Sequence, residues 1–187
     1  METPDYKPKK GSFLLSEPFL TDQNFRRAVV LLTEHNDDGS IGFVLNQPTK
    51  IRLNDVLEDF PQIDCHLYIG GPVQQETLHF IHTVEDLKSE SIPIAGGIYW
   101  GGDFDRLKAL VRENKVHGGQ VRFFLGYSGW APKQLEEEMN LKSWILSPPS
   151  KKFAFTPDPD QLWKDILQSM GKKHKLISNY PENPALN

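Results

Sequence analysis

Short apolar runs of strand length dominate the first half of the chain. Residues 13–15, 28–33, 41–45 and 67–69 are such runs, and polar or glycine-rich segments separate them. The second and third runs flank a polar segment that ends in Asp38-Gly39, a dipeptide with the backbone freedom that a tight reversal needs. The pattern therefore predicts a β-hairpin here, and residues 77–83 predict a further strand.

Helical spacing becomes more frequent in the second half. Asp103 is a predicted N-cap for a helix whose apolar face combines Phe104, Leu107, Leu110 and Val111. A last amphipathic helix is predicted from Asp160 to the stop at Gly171. The basic run 172–175 follows this helix and precedes a polar tail.

The order of these elements predicts an α+β fold. Strands come early and are joined by hairpin connections, which favours a mixed, mainly antiparallel sheet or partial barrel flanked by helices over a doubly wound parallel sheet. Residues 1–10 and 179–187 are rich in Pro, Lys, Asn and Glu, so we expect flexible tails there. A single compact domain is predicted for residues 11–178.

The segment 126–130, Gly-Tyr-Ser-Gly-Trp, carries unusual turn chemistry between an apolar run and Pro132. Gly126 and Gly129 permit backbone angles that bulky residues resist, and proline suits the first turn of a helix. The sequence predicts a strand over 121–125, a built corner, and a helix after Pro132.

Composition narrows the possible functions. The 187 residues are 38% hydrophobic and 11% aromatic, enough for a sizeable core. Twenty-one Lys and Arg against 25 Asp and Glu give a net charge of −4, so direct nucleic-acid binding is not expected. Cys65 is the only cysteine and no run of about 18 apolar residues exists, so we expect a soluble, cytoplasmic protein that does not enter the membrane.

Four blocks of the sequence resemble the AlgH/YqgE family (UPF0301, DUF179) of uncharacterised bacterial proteins. The first is the start at 11–15 with Pro18, Leu20, Asp22 and Phe25; the second is 29–35 with Gly39, Gly42 and 46–49. The third is 70–73, and the fourth is 126–130 with Gln134, Leu135, Glu136 and Trp144. The resemblance implies a YqgE-like domain with no established reaction, and the family name suggests transcriptional regulation.

The chain departs from the family pattern at three places. Relatives commonly carry Arg at the position of Gln47 and an Arg-Gly pair near Thr77-Leu78, so the resemblance leaves open whether an anion site is lost here. Many relatives have Ala where this chain has Ser128. Because a methyl group rarely replaces a nucleophile, the resemblance argues against a catalytic role for Ser128.

Three motifs resemble a catalytic, a metal-binding or a phosphate-binding motif, but each lacks a feature that the corresponding site needs. The run Gly126-x-Ser128 resembles a nucleophile elbow but lacks its final glycine. Glu34, His35, Asp37 and Asp38 could hold a metal, although neighbouring strand residues point to opposite faces. Residues 70–73 lack the remainder of a phosphate-binding loop. We therefore predict no catalytic residues, no metal ligands and no cofactor.

The strand-end loops give the best candidate site. Loops 46–49 and 70–73 could converge into a cleft with two aromatic walls, so the predicted ligand-binding residues are Asn46, Pro48, Gly70, Gly71, Pro72, Tyr127, Ser128 and Trp130. The alternative is structural: Asn46 caps a turn and the glycines permit strand crossings.

The hypothesis from the sequence is a binding module for a small molecule or a protein partner. The alternatives are a regulatory protein that acts on transcription through a partner, and a hydrolase of unknown substrate. The sequence does not identify the ligand, the partner or the oligomeric state.

Overall fold

The computed structural model describes residues 7–182. Ten strands are present in this range: β1 (Phe13–Ser16), β2 (Val29–Asn36), β3 (Gly39–Val44), β4 (Pro48–Arg52), β5 (His66–Ile69), β6 (Val73–His82), β7 (Ile92–Ala95), β8 (Ile98–Trp100), β9 (Val121–Trp130) and β10 (Trp144–Ser147). Six α-helices accompany them: α1 (Leu53–Val56), α2 (Phe104–Arg112), α3 (Gln134–Asn140), α4 (Lys151–Ala154), α5 (Leu162–Ser169) and α6 (Lys172–Ile177). The predicted tails fall mostly outside the described residues.

The strands form one open sheet in the order β10-β1-β2-β3-β9-β6-β8-β7. Strand β5 pairs with β4 and with β9, and β5–β9 is the parallel pair in a sheet that is otherwise antiparallel. Because β10 and β7 are the two ends of the path, the sheet does not close into a barrel. The α+β class and the mixed, mainly antiparallel sheet are therefore confirmed.

Alternate residues of the strands enter different hydrophobic cores, as the pleat of a strand requires. Phe13 and Phe124 belong to a core covered by α5, whereas Leu14 belongs to a core covered by α3. Phe123 belongs to a third core, which packs against α1 and α2. Helices therefore bury both faces of this sheet.

Strand β9 does not end where the sequence predicts. Residues up to Leu125 pair with β5, and the strand then continues to Trp130 along β3. Gly126 has φ +67°, and a Cβ atom there would lie 2.6 Å from the carbonyl oxygen of Val73. The glycine therefore bends a strand instead of ending it, and helix α3 follows Pro132 as predicted, with its first residue at Gln134.

Two predicted features outside β9 are present, and one further helix was not predicted. The β2–β3 hairpin is confirmed, and Asp103 caps α2 by accepting a hydrogen bond from the Arg106 amide at 2.9 Å. The basic run after Gly171, which was predicted to precede a polar tail, forms the additional helix α6. Gly171 has φ +103°, which lets the chain change direction before helical structure resumes.

Candidate functional site

The structure separates the eight predicted ligand-binding residues into three places. Gly70, Gly71 and Ser128 lie in a buried junction between β5 and β9, with Pro72 exposed beside it. Tyr127 and Trp130 border an open groove at the β2–β3 hairpin. Asn46 and Pro48 lie elsewhere, so the two strand-end loops do not line one common cleft.

The glycine junction is packed backbone against backbone. A Cβ atom on Gly71 would lie 2.2 Å from the carbonyl carbon and oxygen of Tyr127, so only glycine permits this approach. The Ser128 hydroxyl donates a hydrogen bond to the carbonyl of Gly70 at 3.0 Å. Ser128 is fully buried, and within residues 7–182 that is its only side-chain hydrogen bond. This geometry gives Ser128 a structural contact and no general base.

The side chain of Trp130 belongs to the core beneath α3 and is 5% exposed. Its indole N–H donates to Oε2 of Glu138 at 2.9 Å, and the indole N–H of Trp144 donates to the same oxygen at 2.7 Å. Gln134 donates to the other carboxylate oxygen at 3.0 Å. Glu138 therefore satisfies two indoles that would otherwise be unpaired, a role that the sequence analysis missed.

Asn46 uses its whole side-chain amide to hold the start of β2. Its Oδ1 accepts from the amide of Val29 at 2.9 Å, and its Nδ2 donates to the carbonyl of Arg27 at 2.9 Å. The residue lines a separate hollow of about 470 Å³ together with Arg27 and Trp163. Pro48 is exposed and begins β4, where it pairs with Tyr68.

The groove beside the hairpin, here called the hairpin groove, has a volume of about 500 Å³. Residues of β2, β3, β6, β9 and the hairpin turn line it: Glu34, Asn36, Asp38, Gly39, Ser40, Ile41, Val73, Tyr127, Gly129 and Trp130. Tyr127 is half-buried and its ring meets that of His79 edge to face, with centroids 6.0 Å apart. The groove therefore has one fixed aromatic wall.

The hairpin groove has an acidic lining. Glu34 and Asp38 are its two charged residues, and no Lys or Arg lines it. Within the described part of the chain, neither carboxylate takes part in an ion pair. An unbalanced negative charge beside an aromatic wall favours a cationic ligand over an anionic one.

His35 contacts a serine other than the one suggested by the sequence. Its Nδ1 lies 2.8 Å from the Ser40 hydroxyl, and its Nε2 lies 3.7 Å from Oε1 of Glu136. His35 and Ser40 are directly opposed on β2 and β3, so the register of the hairpin already accounts for their contact. Ser40 is 5% exposed at the wall of the groove.

Two further histidines lie on β6, and burial lowers the pKa of each imidazole. His79 packs against the rings of Phe43 and Tyr127. The Nε2 of His82 lies 2.8 Å from the hydroxyl of Ser91 and 2.9 Å from the carbonyl of Gly101. Each imidazole thus has its own partners.

A second hollow borders the first half of β9, where Arg122 interrupts an apolar run. Its volume is about 300 Å³, and its lining combines Asp64, Cys65, His66, Tyr68, Gly118, Gly119, Val121, Arg122, Phe155, Thr156 and Pro157. The sequence analysis missed this place, although a charged residue inside a predicted buried strand was the available signal.

Over residues 7–182, the structure brings no three His, Cys, Asp or Glu side chains together in a group that could hold a metal ion. In the same range, no helix combines the length and apolar character needed to cross a bilayer.

Comparison with known proteins identifies the family. A UPF0301 protein of Cytophaga hutchinsonii is 44% identical over 179 residues, covering 95% of this chain and 98% of that protein. A UPF0301 protein of Bacteroides fragilis is 39% identical over 181 residues, covering 96% of this chain and 92% of that protein.

Solved structures show the same fold. A crystal structure of a Corynebacterium diphtheriae protein has a TM-score of 0.80 at 24% identity and covers 96% of this chain and 95% of its own. The solution structure of AlgH from Pseudomonas aeruginosa has a TM-score of 0.72 at 26% identity, with 97% of each chain covered. A family model described as AlgH-like matches residues 13–175, and the chain therefore belongs to the AlgH-like, or UPF0301, family.

Proposed function

We propose that this chain is a binding protein whose hairpin groove takes a small molecule or a short peptide that carries an amino or guanidinium group. The observation that carries the proposal is the groove of about 500 Å³ itself, with Tyr127 as a wall and two carboxylates in its lining that form no ion pair within residues 7–182. Pockets for small ligands combine such an aromatic surface with a few polar groups that fix orientation.

The charges of the groove define the ligand class. A cation between Glu34 and Asp38 gains from both carboxylates, whereas an anion there is repelled by both. The ring of Tyr127 adds a face to which a guanidinium or ammonium group is attracted. Both carboxylates are partly or fully solvated, so each contributes about 0.2–1 kcal/mol.

The hairpin provides a matched pair of variants for the test. Asp37 and Asp38 are adjacent, exposed turn residues, and of the two Asp38 lines the groove. Titration calorimetry with spermidine and with arginine amide is expected to give saturable binding that Asp38→Asn weakens about two- to five-fold. Asp37→Asn serves as the control and should bind as the original chain does.

Two results would contradict the proposal. One is the absence of saturable binding to either cation at low ionic strength. The other is an equal loss of affinity in Asp37→Asn and Asp38→Asn, which would indicate diffuse attraction to the acidic surface. Succinate, as an anionic counterpart, is expected to give no signal at this groove.

A hydrolase is the second candidate, favoured by the contact between His35 and Ser40 at the groove wall. In this reaction class the imidazole takes the hydroxyl proton while the oxygen attacks an acyl or phosphoryl centre. The imidazolium gives that proton to the leaving group as its bond breaks, and water then hydrolyses the covalent intermediate and frees the serine. A fluorophosphonate probe that labels Ser40, and fails to label Ser40→Ala, would support it. An unlabelled original chain would leave the contact as a cross-strand pair.

A regulatory role through a protein partner is compatible with the same groove, since a basic peptide segment of the partner would fit its charge. The proposal also includes the cytoplasm as the compartment. The support is that the chain has a single cysteine, Cys65, which is buried and free.

A further inference from the structure

The guanidinium of Arg122 lies inside the protein, and the residue is 6% exposed. Its Nη1 donates to the carbonyl of Leu45 at 3.0 Å, and its Nη2 donates to the carbonyl of Thr156 at 2.6 Å. Its Cζ lies 4.4 Å from the centroid of the Tyr68 ring. Two of its five N–H groups therefore have carbonyl acceptors, and one face of the guanidinium is stacked.

The positive charge of Arg122 has no counter-ion in the part of the chain that the structure describes. No ion pair within residues 7–182 includes it. Burial raises the pKa of the Cys65 thiol to about 11, and burial also raises the pKa of the Tyr68 phenol, so both neighbours are neutral at pH 7. Burying an unpaired charge costs several kcal/mol unless other groups compensate it.

The acidic residue in the lining of the hollow already pairs with another side chain. Asp64 lies on the rim of the hollow, is exposed, and pairs with Arg52 at 3.4 Å. The other polar residues in its lining are neutral or exposed: Cys65, Tyr68, Thr156 and the exposed His66. Phe155 and Pro157 supply apolar surface. The hollow thus combines one buried cation, neutral polar groups, an apolar side and, at its rim, a carboxylate that is already paired with Arg52.

We propose that this 300 Å³ hollow binds a small molecule through a single oxyanion group, a carboxylate or a phosphate, which pairs with Arg122. A guanidinium suits this role because its planar N–H groups match the oxygens of both anions. The negative charge of the ligand is then the counter-ion of Arg122. The site shares no lining residue with the hairpin groove, and the inference does not depend on the function proposed for that groove.

The test is a titration of the 15N-labelled full chain with sodium phosphate and, separately, with sodium acetate, each against sodium chloride at equal ionic strength. The proposal expects saturable shifts of the His66, Gly118 and Gly119 amides with at least one oxyanion. A response to phosphate alone indicates a phosphate-bearing ligand, and a response to both indicates oxyanions in general. Linear shifts, or none with either anion, would overturn the proposal.

Two variants separate this site from general surface charge. Arg122→Gln is expected to abolish the saturable shifts, whereas Arg112→Gln, the same substitution on the exposed end of α2, should leave them unchanged. Because Arg122 also ties Leu45 to Thr156, its variant could fail to fold.

The second variant avoids the core. His66→Glu adds a negative charge at an exposed rim position and is expected to weaken phosphate binding about three-fold or more, relative to His66→Gln. Equal affinities for the two His66 variants would overturn the proposal even if Arg122→Gln does not fold.

Discussion

The two halves of β9 border two hollows that differ in the sign and the burial of their main charged groups. The first half carries the buried cation Arg122, and the second half borders the hairpin groove with the solvated carboxylates of Glu34 and Asp38. A solvated charge is screened and costs little, whereas a buried one must be compensated by neighbours or by a ligand. We expect substitutions at the groove to change binding with little effect on folding, and substitutions near Arg122 to change both.

The largest expected effect comes from the junction that joins the two halves. Gly71→Ala places a Cβ atom 2.2 Å from the backbone of Tyr127, so the loop or the strand must shift. We expect a loss of about 3 kcal/mol in the free energy of unfolding, measured in urea. Gly96→Ala is the control, since a Cβ atom at Gly96 meets no atom within 4 Å and a smaller loss is expected from its positive φ alone.

The next effect lies in the second half, under Trp130. Glu138→Ala leaves the buried indole N–H groups of Trp130 and Trp144 without their shared acceptor. We expect a loss of about 2–3 kcal/mol, accompanied by a change in tryptophan fluorescence. Glu138→Gln keeps an acceptor and should lose less, and Glu137→Ala, an exposed neighbour, should be neutral. Equal stability of the two Glu138 variants would mean that the indoles find other acceptors.

The dependence of stability on pH reports on two histidines of β6, the partly buried His79 and the buried His82. Burial lowers the pKa of His82 below its ordinary value of 6.5, so the unfolded chain binds the proton first as pH falls. The stability that the neutral imidazole preserves is present above pH 6.5 and is lost as pH falls through the lowered pKa of the folded state. Urea unfolding between pH 7.5 and 5 is therefore expected to show a decline.

The variant His82→Gln should flatten part of that decline. Burial lowers the pKa of His79 as well, so His79→Gln should flatten another part, and the double variant should flatten both. A decline that is identical in all three variants would assign the pH dependence to carboxylates instead.

The smallest expected effect is at the rim of the Arg122 hollow. Burial raises the pKa of Cys65 to about 11, the carboxylate of Asp64 adds to the rise, and Arg122 opposes it. Asp64→Asn should therefore shift the pH profile of Cys65 alkylation by iodoacetamide slightly toward lower pH, with stability almost unchanged because the Asp64–Arg52 pair is exposed. An upward shift would contradict this arrangement.

The sequence predicted the individual strands, turns and helix caps better than the contacts between segments that are distant in sequence. The hairpin at Asp38-Gly39 and the cap at Asp103 follow from local chemistry, and both are present. The continuation of β9 beyond Gly126 depends on β3 as a partner, and pairing between distant segments leaves no local signature. Asn46 was recognised as important, but its amide is occupied by Arg27 and Val29, which no spacing rule indicates.

The order of the strands constrains how the chain is completed during synthesis. Strand β1 pairs with β10, and β3 and β6 each pair with β9. Strands that are synthesised early therefore keep unpaired edges until residues 121–147 have left the ribosome. Exposed apolar edges are where nascent chains associate wrongly. A nascent chain that stalls before β9 would therefore be a chaperone substrate and prone to aggregation. The strands of the first third of the chain complete their pairing only after β9 and β10 have been synthesised.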